Sequence, residues 1–210
     1  MNDQIEQLNQ WLAGLDGKNP ADWSLLPDIG LYMDQVQTYI DRQLTLYRRD
    51  DNDRLLTPAM INNYIKDSLI PRAEVKKYNP THLALLIMIG TLKQVLSIPN
   101  LSHLLSAYRE PADVEVLYSH YRQIQQASLQ DIVEQVSTET HALQDAGGGS
   151  PVETADAMRG LALELSIEAR TRILIAEKIL ALLAEPKPDE PAEKKKEKAK
   201  EKVKKIPEES

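Results

Sequence analysis

Cysteine is absent from this chain of 210 residues, which excludes disulfide bonds, zinc sites with thiolate ligands and cysteine nucleophiles. The N-terminal residues Met1 to Gln4 show no basic stretch followed by an apolar one, so we expect no signal peptide. The longest uninterrupted apolar run, at residues 83–89, is too short to span a bilayer. Together these absences predict a soluble cytoplasmic protein without membrane contact.

Sequence signatures of catalysis and of metal binding are also missing. The segment Gly147 to Ser150 is not a phosphate-binding loop, because no lysine follows it and no strand is predicted before it. The four histidines, His82, His103, His120 and His141, are 21, 17 and 21 residues apart, without the i,i+4 pair of a helical metal site. We therefore expect ordinary helix residues at these positions, no metal, no cofactor and no enzymatic activity.

The charged residues are unevenly distributed. Residues 54–110 carry seven Lys and Arg against three Asp and Glu, whereas residues 1–53 carry four against ten. Residues 111–184 carry five against eleven and the remaining residues nine against eight, which together give the net charge of −7. A basic segment inside an acidic protein is typical of a surface that meets phosphate. The charge pattern therefore points to residues 54–110 as a nucleic-acid-binding segment.

Helix starts are clearest within this basic segment. Thr57-Pro58 and Asn79-Pro80 each combine a capping side chain with proline at the first helical position. The first should open a short helix to about Ser68. The second should open a helix over residues 80–96 that is apolar on almost every side and forms the core of its domain. Asn100 is then expected to cap a further helix, after Ile98-Pro99 has ended the previous one.

Two long helices are predicted in the second half of the chain. Residues 112–143 have one apolar side, and the capping box Ser150 to Glu153 starts a helix to about Ala184. Apolar residues occupy most of the circumference of this last helix, so a single partner helix would leave apolar side chains exposed on one side. Alanine recurs every seven residues along it, a spacing that allows another helix to approach closely, at Ala155, Ala162, Ala169 and Ala176.

Two stretches of the basic segment carry a family resemblance. Residues 56–71 read L-T-P-A-M-I-N-N-Y-I-K-D-S-L-I-P, and residues 75–83 read V-K-K-Y-N-P-T-H-L. They resemble the recognition helix, V-S-x-R-T-L-R-Y-Y-D-x-x-G-L-L-P, and the wing tail, Y-R-x-Y-S-x-x-D-L, of MerR-family regulators. Residues 26–36 together with residues 60–64 are more closely similar to the YkrK-like regulators of Gram-positive bacteria. The chain departs from the MerR pattern at Asn63-Tyr64, where that family has paired tyrosines, and at Ser68, where it has glycine.

The resemblance covers about residues 24–106 and implies a cytoplasmic MerR-type regulator. Together with the predicted helices and the composition, it gives an all-α fold in which a MerR-like winged helix-turn-helix domain with a minimal wing precedes a long-helix hairpin and a disordered charged tail. An N-terminal helix and connector would occupy residues 1–23. The DNA-binding domain would occupy residues 24–110, and a helical region for dimerisation or effector binding residues 111–184. From residue 185 the chain is rich in Lys, Glu and Pro and holds few apolar residues, so residues 185–210 are predicted to be disordered.

The predicted function is that of a sequence-specific DNA-binding transcriptional regulator, a repressor, that binds double-stranded DNA as a homodimer. Asn62, Asn63 and Lys66 reach base edges or phosphates if their helix enters a major groove, since asparagine pairs with adenine and lysine with guanine or phosphate. The complete set of candidate DNA-binding residues is Thr57, Met60, Asn62, Asn63, Lys66, Arg72, Lys76 and Lys77.

Each of these predictions has a structural alternative. The polar helix face and Lys76-Lys77 can simply be solvated, in which case the chain is a helical protein–protein interaction module whose helix-turn-helix does not bind DNA. Tyr108, Tyr118 and Tyr121 either line a pocket for a small apolar effector or pack in the core. The long helices pair either between two chains or within a monomer whose two domains pack together.

Overall fold

The computed structural model describes residues 3–15, 17–48, 50, 53–145 and 151–184. Throughout these ranges the regular secondary structure is helical, without β-strands, which confirms the predicted all-α class. Short 3-10 turns occupy Trp23–Leu25 and Thr45–Tyr47. The α-helices are α1 (Asp3–Ala13), α2 (Met33–Gln43), α3 (Pro58–Lys66), α4 (Pro80–Leu92), α5 (Ile98–Leu105), α6 (Pro111–Asp145) and α7 (Pro151–Leu183). The predicted disordered tail lies outside the described residues.

The predicted starts of α3 and α4 are confirmed. The Thr57 hydroxyl oxygen accepts a hydrogen bond from the Met60 N–H at 3.3 Å, and Pro58 is the first residue of α3. At α4 the Asn79 side chain accepts from the His82 N–H at 3.3 Å, while the His82 ring nitrogen Nδ1 accepts from the Asn79 N–H at 3.2 Å. This reciprocal pair is a capping box, so the free N–H groups at the start of α4 are satisfied by side chains.

The predicted cap of α5 is wrong by three residues. Ser97, not Asn100, caps this helix, because the Ser97 hydroxyl accepts a hydrogen bond from the Asn100 N–H at 3.3 Å. Pro99 lies in the first turn of α5, where its missing N–H costs no helical hydrogen bond. The preceding helix α4 therefore ends earlier than predicted, at Leu92.

Helix α4 forms the centre of the main hydrophobic core, as predicted from its apolar surface. Every residue from 81 to 90 is buried. The helix is surrounded by apolar side chains of α2, α3, α5 and the start of α6, including Leu44, which is fully buried. Gly90 permits the closest of these approaches, since a Cβ atom at this position would overlap the Leu44 side chain.

The N-terminal segment packs against α6, which is distant in sequence. The Tyr118 hydroxyl donates a hydrogen bond to the Ala21 carbonyl at 2.9 Å. The Arg122 guanidinium donates to the Pro20 carbonyl at 2.8 Å and forms an ion pair with Asp22 at 2.6 Å. A second apolar cluster joins α1 and the segment after it to α6 and α7, and its buried members are Leu12, Leu15, Val136 and Leu161.

Helix α7 is largely uncovered. Of the α7 side chains that the structure describes, Leu161 and Leu180 are buried. The backbone of α7 lies close to α5 along more of its length than to α6. Ala162 and Ala169 of the alanine series are exposed, whereas Ala155 and Ala176 are half-buried, so the middle of this seam is not packed within the chain. Large apolar side chains more than half exposed are Val152, Leu163, Ile167, Leu174, Ile175, Ile179, Leu182 and Leu183. None of the helices in the described ranges combines the length and the apolar content needed to cross a bilayer.

Candidate nucleic-acid interface

Helix α3 separates its apolar and polar residues onto opposite sides. Ile61 and Tyr64 are buried in the main core, and Ile65 is half-buried beside them. The helical repeat of 3.6 residues therefore turns the intervening side chains toward solvent. All four candidate residues within α3 lie on this exposed side, which we call the α3 outer face: Met60, Asn62, Asn63 and Lys66. The candidate Thr57 is half-buried directly before α3 and serves as its cap.

The C-terminal end of α3 is fixed by a Schellman motif. Ser68 adopts the left-handed conformation with φ of 56°, at the position where the MerR pattern has glycine. The Leu69 N–H donates to the Tyr64 carbonyl at 2.8 Å, and the Ser68 N–H donates to the Ile65 carbonyl at 3.1 Å. Arg109 adds a hydrogen bond from its guanidinium to the Ser68 carbonyl at 3.0 Å. Helix α3 is thus held at both ends and along its inner side.

Residues 74–77 form a tight turn after α3, which we call the hairpin turn. The Lys77 N–H donates to the Glu74 carbonyl at 2.8 Å, and these two residues form an antiparallel bridge. Val75 and Lys76 both have positive φ, 49° and 61°, which is the backbone pattern of a type I′ turn. Such turns favour Asn-Gly, and a β-branched valine there is strained. The Val75 side chain is 89% exposed at the tip of the turn.

Lys77 is supported by a segment far away in the sequence. Its neighbour Tyr78 exchanges two backbone hydrogen bonds with Leu31, each of 2.9 Å. The Lys77 side chain crosses Gly30, where a Cβ atom would lie 2.8 Å from the Lys77 Cβ. Its ammonium nitrogen then lies 5.7 Å from the centre of the Tyr32 ring, a distance suited to cation–π attraction. The charge of Lys77 is therefore held in place, whereas Lys76 and Arg72 extend freely into solvent as exposed side chains.

His82 lies buried beneath the residues that lead into the hairpin turn. Its ring meets the edge of the Tyr78 ring at a centroid distance of 5.4 Å. Burial lowers the pKa of His82, and the nearby carbonyl groups of Arg72 and Pro71 oppose that change only in part. The expectation that all four histidines are ordinary helix residues is thus wrong for His82, which caps α4 and supports the segment at residues 71–78. In the described part of the chain, no three His, Cys, Asp or Glu side chains are grouped as a metal site.

Sequence reasoning missed several residues that shape this surface. Lys93, at the end of α4, brings its ammonium nitrogen to 3.8 Å from the Met60 sulfur and so adds a positive charge beside the α3 outer face. Arg109, Tyr32 and Gly30 act through the contacts described above. The basic charge of residues 54–110 is the sequence signal for Lys93 and Arg109. No local pattern marks Gly30 or Tyr32 as the support of a lysine that follows them by 47 and 45 residues.

The candidate residues fall into two groups. The α3 outer face brings together Met60, Asn62, Asn63 and Lys66, while Arg72, Lys76 and Lys77 belong to the segment at residues 71–78. Across the described ranges, no hydrogen bond or ion pair links the side chains of one group to those of the other. The two groups are connected by the buried residues Leu69 and Ile70, which fix where the chain leaves α3.

Comparison with known proteins gives a match to a family model over part of the chain. Residues 21–124 match the family described as a domain of unknown function, DUF1836. The DUF1836 match begins at Ala21 and extends beyond Tyr118, and the hydrogen bond between these two residues joins the start of the matched segment to α6. No curated protein and no solved structure matches the chain.

Proposed function

We propose that this chain is a sequence-specific DNA-binding transcriptional regulator, a repressor, in which α2 and α3 act as a helix-turn-helix and the hairpin turn as a minimal wing. The observation that carries the proposal is the α3 outer face, which presents two asparagines and a lysine from a helix anchored at both ends. An anchored helix with such side chains has the properties of a recognition helix, because rigid positioning is needed to read base edges in the major groove.

The two groups of candidate residues would have different tasks. Asn62 and Asn63 offer the paired donor and acceptor that adenine requires, and Lys66 offers a donor to guanine or phosphate. Arg72, Lys76 and Lys77 carry exposed or ring-supported positive charges suited to the phosphate backbone, which sets position and affinity without reading sequence. The α3 outer face would thus determine the preferred site, and the hairpin turn would contribute to binding at every site.

The exposed side of α7 supports a homodimer for this function. A single small module binds DNA weakly, and regulators of this architecture commonly gain affinity from two half-sites about 34–36 Å apart. Eight large apolar side chains of α7 are more than half exposed in the single chain. Monomeric proteins rarely leave a contiguous apolar patch of more than a few hundred Å² in water. A second copy of α7 would cover these residues and set the spacing of the two α3 helices.

A mobility-shift assay with fragments of the upstream region of its own gene tests DNA binding. We expect one fragment to be preferred, and Asn62→Ala to lose about 1–3 kcal/mol on that fragment only. Lys76→Ala and Lys77→Ala should weaken binding to all fragments alike, since they would remove phosphate contacts. Lys18→Ala, which removes an exposed charge from a different region, is the matched control and should change nothing. Equal binding of the wild-type protein to all fragments would contradict the proposal.

The second candidate function is a helical protein–protein interaction module, which the exposed apolar side chains of α7 favour. Salt concentration separates the two functions. Contacts with phosphate release counterions, so DNA binding must weaken steeply as salt rises. An apolar contact through α7 would persist or strengthen under the same change.

A further inference from the structure

A large cavity opens between α1, α6 and α7, on the side of the molecule formed by the second apolar cluster. Its volume is about 810 Å³, within the range of pockets that enclose small organic ligands. The end of α4 and the 3-10 turn at Thr45–Tyr47 contribute to its wall. The side chains that line it are mostly apolar, among them Trp11, Leu129, Ile132, Leu161 and Leu165.

Several polar side chains interrupt this apolar wall, and three of them matter for ligand binding. Gln125 lines the cavity, and both its side-chain oxygen and its side-chain nitrogen are buried without a hydrogen-bond partner in the described ranges. Tyr121 and Thr91 also line it, and their hydroxyl oxygens are 2.9 Å apart. The Thr91 hydroxyl donates to the Ile87 carbonyl at 3.1 Å, so Tyr121 must donate to Thr91 and keeps its own oxygen as an acceptor. The cavity wall thus offers one acceptor, and the unpaired amide of Gln125, whose nitrogen and oxygen have almost no accessible surface, reaches the cavity only when its side chain turns toward it.

The composition of the wall restricts the kind of ligand. Among the described residues that line the cavity there is no Lys, Arg, His, Asp or Glu, so a charged group would lose its hydration without gaining a counter-charge from them. An amide that is buried without a partner is costly, and a ligand that supplies one would remove part of that cost. Tyr118, one of the three tyrosines considered for an effector pocket, is instead fully buried in the main core. Tyr121 is the member of that set that reaches the cavity.

We propose that this cavity binds a small neutral amphiphile, with an apolar body held between α1, α6 and α7. Its one uncharged head group pairs with the Tyr121 oxygen and with the Gln125 amide, which turns toward the cavity when the ligand binds. A primary carboxamide has the required combination of donor and acceptor. The proposal does not depend on DNA binding, because none of the residues in the candidate interface lines the cavity.

The two tryptophans of the chain provide a direct assay. Trp11 lines the cavity, whereas Trp23 packs against Tyr118 in the main core. In a Trp23→Phe background, Trp11 is the remaining tryptophan and should transfer its excitation to bound N-phenyl-1-naphthylamine, a neutral apolar probe. We expect saturable binding with one probe per chain. Absence of saturable transfer in this background and of probe binding to the wild-type chain would overturn the proposal.

Blocking variants locate the bound probe. Ala162→Phe and Ser128→Phe would each project an aromatic side chain from the wall, and each should reduce probe affinity by about tenfold or more, since the cavity would be overfilled. The matched control is Ala127→Phe, an exposed position of α6 that does not line the cavity, and it should leave affinity unchanged. Circular dichroism verifies the fold of each variant. Equal affinity in all three folded variants would show that the probe binds elsewhere and would refute the site.

Competition tests the head group. Octanamide should displace the probe at a concentration about two- to tenfold lower than N,N-dimethyloctanamide, the gain of one net hydrogen bond. Gln125→Leu should remove this preference while retaining probe binding. A preference that survives in Gln125→Leu would overturn the assignment of Gln125. Probe uptake that decreases with protein concentration, while light scattering shows a doubling of mass, would mean that a second copy occupies the groove and would also overturn the proposal.

Discussion

Helices α4 and α7 are both rich in apolar residues, yet their surroundings differ completely. In α4 the ten residues from 81 to 90 are all buried, because α2, α3, α5 and α6 enclose the helix. In α7 the buried described side chains are Leu161 and Leu180, although the helix is 33 residues long. An apolar helix is stabilised when its side chains are removed from water. Whether the same chain covers those side chains depends on which helices pack around it, as the difference between α4 and α7 shows.

The largest expected difference between α4 and α7 is in the effect of truncating one isoleucine in each helix. Ile87→Ala in α4 should lower the free energy of unfolding by about 2–5 kcal/mol, because it leaves a cavity in a closely packed core. Ile175→Ala in α7 removes a side chain that is 57% exposed and should cost less than about 0.5 kcal/mol. Urea denaturation measures both, at a dilution where light scattering gives the mass of one chain. Similar losses in the two variants would show that α7 is covered within the chain after all.

Substituting one glycine in each helix tests the same comparison by adding atoms instead of removing them. Gly90→Ala should destabilise the fold by about 1–3 kcal/mol, since its Cβ would overlap the fully buried Leu44 side chain. Gly160→Ala in α7 is the matched control, because a Cβ there meets nothing within 4 Å. It should raise stability by about 0.5–1 kcal/mol through the higher helix propensity of alanine. The sign of the two shifts in thermal unfolding is the decisive measurement, and shifts of the same sign would contradict the packing described for α4.

The N-terminus of α4 should make the stability of the protein depend on pH. Burial lowers the pKa of His82 below its usual value near 6.5, so the unfolded chain binds a proton there before the folded chain does. Stability should therefore fall as pH decreases below about 6.5, by at most about 1.4 kcal/mol per pH unit for this one group. His82→Gln keeps an acceptor for the capping box and removes the titration. A pH dependence of urea unfolding that is unchanged in His82→Gln would exclude this role.

The smallest expected effect on the isolated chain concerns the alanine seam of α7. Ala169 is exposed, so Ala169→Leu should change the unfolding free energy of the dilute monomer by less than about 0.5 kcal/mol. If two α7 helices pack through this seam, the same change should weaken dimerisation by about 1–3 kcal/mol through overpacking. Light scattering at micromolar concentration should give the mass of two wild-type chains and a smaller mass for the variant. A wild-type mass near that of one chain would refute the dimer.

Local features of this fold were predictable from sequence because their causes are local. A hydroxyl or amide cap followed by proline identifies the starts of α3 and α4 within a few residues, and the apolar run at residues 83–89 identifies the core helix. The same local reasoning misplaced the start of α5. A proline can follow the end of one helix or lie in the first turn of the next. The hydrogen bond from the Asn100 N–H to the Ser97 hydroxyl shows that Pro99 lies in the first turn of α5.

Features of the candidate sites that depend on distant residues were not predictable. The outer face of α3 follows from helical periodicity, so Asn62, Asn63 and Lys66 could be named in advance. The support of Lys77 by Gly30 and Tyr32, and the burial of His82, arise only when the chain brings distant segments together. The cavity beside Gln125 depends on the relative positions of three helices, which no pattern within any one of them specifies.

The contacts of the N-terminal segment have a consequence for the order in which the protein assembles during synthesis. The Asn9 side chain accepts a hydrogen bond from the Thr140 hydroxyl at 2.7 Å, across 131 residues of sequence. At ribosomal speeds of about 5–20 residues per second, α1 would wait on the order of ten seconds for its partner on α6. Throughout that delay Leu12 and Leu15 have no α6 to cover them. Helix α1 is therefore made well before α6 and is among the last of the described helices to be buried, so it is an expected binding site for chaperones on the nascent chain.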